Sequence, residues 1–487
     1  MFWFLVFLAV AGTLAYRATP LPTATGVLGV TVLLYGWLGE SAGYFLLLLL
    51  AWLLLFVPLN ATALRQEWFS RPLLERWREL HRDEPVALPD PGPAAALLEG
   101  DVGGLPQPAA GAEPVDAALR SEALAAALLQ RLRSPLQPAE PEVAQARVAE
   151  SLYTAAALCA QQPRLLAREQ PDSGQLLRAT LAWPLAKQAA VLRGLATEAS
   201  LDWAALDPAP ALAARLALAH RPGRALRQAA QLESPAARLV AFDAAFWPLP
   251  GRLLSALLRS FIGSFAAALP ATGDDAVHAR QQRLRLSAQR LAALVGLRNL
   301  LPLFTPLPAA YELALARALM SLLAMHAALA WHGEAQQAGG ERPLLESLLR
   351  GQQHALEQSL AAALRELPHP LWRSLLRCVV LPLPLARPAT ASESRAAAEA
   401  LLRESSLRAR LIDGLPSQDA LLALDARIQA LHRLEPSLRR LQLARFETPP
   451  ADDAALLAAA SRLGLLSDEE SATLSEALAF AASQETA

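Results

Sequence analysis

The sequence predicts an all-α protein: N-terminal membrane helices followed by helical bundles, with no substantial β-sheet. Three observations predict it. Alanine and leucine dominate a chain that is 54% hydrophobic and 18% charged, and residues of this kind favour helix over strand. No run alternates with period two for long enough to form a strand. Three apolar runs without a charge open the chain, at residues 2–16, 23–38 and 44–59.

Each opening run is somewhat shorter than the ~20 residues a spanning helix prefers, a mismatch that bilayer thinning accommodates. A cleaved signal peptide is the competing reading, but it wants a positive start. Here Met1-Phe2-Trp3 leads directly into apolar residues, which favours retention. Arg65, Arg71, Arg76, Arg78 and Arg82 follow the third run, against Arg17 in the loop before it. That bias places the main body in the cytoplasm. Membrane lipid is therefore an expected partner. Residues 1–62 form the first segment.

The second segment, 63–114, begins with Leu64–Leu80, an amphipathic arginine-bearing stretch. It lies either on lipid headgroups or packed on its own domain. Residues 85–114 are dense in Pro, Gly and Ala and read as a linker. Helices are expected beyond it at 117–132, 142–161, 175–198 (interrupted by Pro184), 209–220, 224–231, 236–268, 278–300, 309–338, 343–367, 392–408, 420–444 and 451–463. Pro343 suits a first helical turn. Leu345, Leu348, Leu349, Leu356, Leu360, Leu364 and Leu367 then recur at helical spacing, one face buried. Gly464 fits a helix stop, and Ser467 with Glu470 forms a capping box that opens the last helix. A third segment covers 115–235 and a fourth 236–487.

Chemistry-bearing motifs are few. Net charge is −1, so the electrostatic footprint of nucleic-acid binding is missing. Gly39-Glu40-Ser41-Ala42-Gly43 matches the nucleophile-elbow pattern, but that chemistry needs a strand-to-helix turn. A turn between two apolar runs is the favoured reading. The eight histidines show no ligand spacing, and His326 and His332, six apart, face different sides of a helix. No metal is expected. Asp274-Asp275 and Glu469-Glu470 read as helix starts. Cys159 and Cys378 read as buried free thiols.

Several segments resemble one known family. Val57-Pro58-Leu59-Asn60, Arg65 and Ser70-Arg71-Pro72 look like the start of the membrane-associated bacterial acyl-CoA dehydrogenases of fatty-acid β-oxidation, as does Leu97-Leu98-Glu99-Gly100-Asp101. Arg285-Leu286-Ser287-Ala288 resembles the opening of that family's extra C-terminal helical domain. Pro343-Leu344-Leu345, Gln353-His354-Ala355-Leu356, Cys378-Val379-Val380-Leu381-Pro382-Leu383, Asp413-Gly414 and Gly464-Leu465-Leu466-Ser467-Asp468-Glu469-Glu470 follow in its order. The resemblance covers roughly 50–105 and 225–480.

The resemblance implies an FAD-dependent oxidoreductase fold, yet the middle departs from it. About 110 residues separate the matching ends, too few for three domains of ordinary size. The third segment resembles only a degenerate second helical bundle, best at Ala146-Arg147-Val148-Ala149 and from Tyr153 to Ala157. Nothing resembles the β-domain or the glycine-rich stretch that meets the flavin pyrophosphate. The family's catalytic glutamate falls near Pro208, with Asp207 one step away, a poor substitute where geometry decides reactivity. Its flavin-contacting arginine maps loosely to Arg131 or Arg133. No catalytic, cofactor-binding or metal residue is therefore expected, and no cofactor in this chain alone. The expected protein is a non-catalytic member at the bacterial inner membrane that meets β-oxidation enzymes or its full-length relatives. A subunit active only with a partner chain, and a membrane structural protein unrelated to lipid metabolism, remain open.

Overall fold

A computed structural model describes residues 65–81, 117–133, 143–166, 221–268, 276–334, 341–383, 386–444 (except 404, 414, 416 and 417) and 453–485, with positions 62, 209 and 213. The three apolar runs, the Ser41 turn, the 85–114 linker, the 175–198 helix and Pro208 lie outside the described residues. Helices and the turns between them make up the described residues, without a strand among them.

The chain divides into two units. The first contains residues up to 88, 221–254 and 296–306. Its described elements are a π-helical turn, Gln66–Ser70, running into α1 (Arg71–Leu80), then α4 (Arg221–Gln231), α5 (Pro235–Phe246) and the first turns of α6 (Pro248–Ala268). The last residues of α7 (Ala276–Leu300) and the 3-10 turn Leu301–Leu303 complete it. Leu74 and Trp77, three apart on α1, bury against Leu226, Phe242, Phe246 and Leu303. The amphipathic 64–80 stretch thus packs its Leu74/Trp77 face on its own unit, while Trp68 and Phe69 stay exposed.

The single helix expected at 236–268 is two. Trp247 closes α5 and Pro248 opens α6. Proline lacks the N–H that a continuous helix would use, whereas a first turn tolerates it. Ser234 caps α5, its Oγ accepting from the Ala237 N–H at 3.5 Å, the usual role of serine there.

The second unit holds α2 (Ala117–Arg133), α3 (Val143–Leu166), α6 from Ser255, α7 up to Val295, and every later helix. These are α8 (Ala309–Glu334), α9 (Arg342–Arg365), α10 (Pro370–Val380), α11 (Ala391–Arg403), α12 (Ser405–Ile412), α13 (Gln418–Arg433), α14 (Glu435–Leu443), α15 (Asp453–Arg462) and α16 (Asp468–Glu485). The α8–α9 hairpin is the most extensive pairing. α3 lies against α8, α9 and α11, and α2 against α13 and α16. One core runs through them, from Leu124 and Leu128 on α2 and Leu152 and Leu158 on α3 to Leu401, Ile428 and Leu474.

Of the α9 leucines expected inside, Leu345, Leu348, Leu356, Leu360, Leu364 and Leu367 are buried and Leu349 is half-buried. Gly464 takes φ +67°, where a glycine escapes the side-chain penalty. Ser467 and Glu470 close the capping box in both directions, at 2.7 and 3.2 Å. Two further helices expected to be continuous are divided, 392–408 into α11 and α12, and 420–444 at Leu434 before Pro436. Among the described residues, one segment, Ala309–His332, is long and apolar enough to cross a membrane, with mean hydropathy 1.7. It is 72% buried inside the protein, as the central helix of a globular core would be.

Candidate functional site

Among the described residues of the second unit, three clusters of buried polar groups centre on Glu341, Arg290 and Arg408. At the first, the Glu341 carboxylate accepts from Arg410 and from the Tyr153 hydroxyl at 3.2 Å. His332 Nδ1 stands 3.9 Å away. The Arg410 guanidinium stacks over Trp331 at 4.1 Å, and Trp331 meets Tyr153 edge-on at 4.6 Å. Burial pushes the Glu341 carboxyl up, but His332, Arg410 and Tyr153 outweigh it and hold it below the usual range. Burial, with the carboxylate beside it, pushes the Tyr153 hydroxyl well up. An acid kept ionised and already supplied with donors is a weak proton acceptor. This node ties α3, α9 and α12 together.

At the second node, fully buried Arg290 on α7 reaches Glu357 at 3.0 Å and Ser264 at 2.8 Å. Glu357 also accepts the Ala386 backbone N–H at 3.2 Å. At the third, Arg408 bonds Asp425 and the carbonyls of Leu401 and Leu402, and Gln429 donates to Asp425 at 2.7 Å. Buried charges persist where they are paired and hydrogen-bonded, and both nodes meet that condition.

In the first unit, Asp243 gathers two residues that sequence resemblance singled out. Arg65 and Ser70 both donate to it, Ser70 at 2.6 Å, and Trp247 Nε1 donates to Ser70 at 3.0 Å. Burial pushes the Asp243 carboxyl up, but the hydrogen bonds from Arg65 and Ser70 outweigh this and hold it low.

The remaining polar assembly lines a cavity of about 340 Å³ between α7, α8 and α9. Arg280, Arg283, Arg342 and Arg350 line it with Glu346, and Leu284, Met325 and Leu329 add apolar lining. Glu346 accepts from Arg280 at 2.5 Å and from Arg342 at 3.0 Å. Arg350 pairs with Glu393. Burial, opposed in part by Glu346 and reinforced by Arg342 and Arg350, lowers the Arg280 pKa. Sequence reading missed this set. Its signal was the four-residue spacing of Arg342, Glu346 and Arg350 on one helix face, with Arg280 and Arg283 three apart on another.

Of the positions to which resemblance assigned roles, Pro208 and Asp207 are outside the described residues, as is the side chain of Arg133. Arg131 lines a crevice of about 20 Å³ with Glu435 and His432, room for about one water. Burial lowers its pKa and Glu435 opposes that. No group of three or more potential metal ligands occurs among the described residues. His326 is buried on α8, His354 meets Gln358 at 2.8 Å, and His432 lies 3.2 Å from Glu435. Cys378 is free and exposed, not buried as its apolar neighbours suggested. It sits on α10, a helix absent from the sequence-based element list, whose outer face is open.

The architecture is thus that of a helical domain with internal charge nodes, and its sequence places it in a family. The model described as "Acyl-CoA dehydrogenase, C-terminal, bacterial type" matches residues 224–483, more than half of the chain. The chain belongs to this family. No curated protein and no solved structure matches it.

Proposed function

We propose that this chain is a membrane-held, non-catalytic member of the acyl-CoA dehydrogenase family, serving fatty-acid β-oxidation by contact with its enzymes or with full-length relatives. One observation carries the reading. The family's C-terminal domain is retained over 224–483, while the position answering to the catalytic glutamate falls near Pro208 and the nearest counterpart of the flavin arginine, Arg131, sits in a crevice of about 20 Å³.

The membrane part of the proposal draws support from the uncharged runs within 1–62 and from the surface of the second unit. Leu258, Phe261, Ile262 and Phe265 are exposed along one face of α6, at the spacing of a single helical stripe. Leu371, Trp372 and Leu375 are exposed on α10, which touches α6 where Ser260 Oγ donates to the Val380 carbonyl at 3.4 Å. Residues 244–273 and 367–392 contain arginines but no Asp or Glu. Apolar, aromatic and basic residues without acids suit an anionic lipid surface. On this reading the body faces the cytoplasm at a bacterial inner membrane.

The test is a visible spectrum of the protein purified in detergent, before and after addition of an acyl-CoA. A colourless preparation that shows no change is expected. Bound flavin that bleaches would overturn the non-catalytic reading. Flavin that appears only after mixing with a partner chain would replace it with a split enzyme.

A further inference from the structure

The cavity between α7, α8 and α9 has a polarity that internal packing leaves unexplained. Its wall carries four arginines and one carboxylate, Glu346. Glu346 is shared by Arg280 and Arg342, and Glu393 answers Arg350. Arg283 is half-buried and its guanidinium has no partner among the described residues. Among the described residues, the site therefore holds four positive charges against two negative ones. Gln353 adds a second, independent sign. It lines the same cavity, is only 8% exposed, and its Nε2 has no hydrogen-bond partner. A buried amide donor left unsatisfied is costly, so such a group points to a missing acceptor. The same cavity has apolar lining from Leu284, Met325 and Leu329.

We propose that this cavity binds a small amphiphilic anion, with its head on Arg283 and Gln353 and its tail along Leu284, Met325 and Leu329. A guanidinium and an amide N–H supply parallel donors to two oxygens of one head group, which a carboxylate and a phosphate monoester both offer. The volume, about 340 Å³, lies at the lower end of ligand sites. It takes a head and a short chain.

The test uses the full chain in a non-ionic detergent, titrated by calorimetry at fixed ionic strength with decanoate, decyl phosphate, decanol and inorganic phosphate. At least one of the two tailed anions should bind saturably, one per chain, and the tighter of them identifies the head. Decanol and inorganic phosphate should each bind at least tenfold more weakly. Arg283→Gln should weaken the tighter anion at least tenfold, Arg283→Lys should restore part of the loss, and Leu329→Asn should weaken it several-fold. The proposal is overturned if neither tailed anion saturates, if inorganic phosphate binds as well as they do, or if Arg283→Gln leaves the affinity unchanged.

Discussion

Glu341 is 1% exposed and accepts from two elements at once. Replacing it with alanine leaves the Tyr153 hydroxyl without an acceptor and Arg410 without its counter-charge. Glu341→Ala should destabilise the second unit by about 3 kcal/mol, seen as a lowered urea midpoint with an unchanged slope. Its carboxyl is held below the ordinary 4.5 in the fold. The stability it contributes is therefore present above pH 4.5 and lost as pH falls through the lower, folded value. Glu150 behaves in the opposite sense. Burial raises its pKa above 4.5 despite the Ser347 hydroxyl at 2.5 Å and Arg147 nearby. The folded state then binds the proton more tightly, so ionised Glu150 opposes folding at neutral pH and that penalty fades as pH falls through the folded value. Glu150→Gln should raise the melting temperature at pH 8, with the gain gone at pH 4. A lower melting temperature at pH 8 would refute it.

At the scale of elements, the legible features were those written in a few adjacent residues. The Ser467–Glu470 capping box and the Gly464 stop are local, and the α9 leucine stripe repeats every turn. Their consequence is measurable. Ser467→Ala should cost about 1 kcal/mol, and Glu470→Ala more, because Glu470 also accepts from Ser437 of α14 at 2.6 Å. Thermal unfolding of the two variants compares them directly. Less legible were the breaks at Trp247–Pro248 and Leu434. Proline just inside a helix start and proline inside a helix look alike in a sequence, and packing decides between them. α10 was not delimited from the sequence: Pro368 stands before it, Pro370 opens it, and Pro382 and Pro384 follow, so its eleven residues offer too few turns between prolines to show a period. The Asp243 node was illegible for a different reason. Arg65 and Ser70 lie 178 and 173 residues from their partner, and no periodicity reports on contacts at that separation. The arginine-lined cavity joins three helices in the same way.

For the whole molecule, the family match begins at residue 224, but the core does not. Leu124, Leu128, Leu152, Tyr153 and Leu158 belong to α2 and α3 and are buried in one cluster with residues of α8, α9, α11, α13 and α16. Removing α2 and α3 would open that cluster along its length. A fragment of residues 221–487 should therefore be partly unfolded and rapidly cut by protease. Co-expression with residues 1–220 should restore a resistant species. A compact, protease-resistant 221–487 fragment would show instead that the C-terminal domain is self-sufficient.

The same interleaving sets a schedule for synthesis. α3 leaves the ribosome roughly 240 residues before α11, a delay of about 10–50 s at ordinary translation speed. Until α8, α9 and α11 have all followed, the face carrying Leu152, Tyr153, Ala156 and Leu158 is only partly covered. The nascent chain must be shielded while it waits, so its yield should depend on chaperone supply and on elongation rate more steeply than that of a protein whose core closes in sequence order.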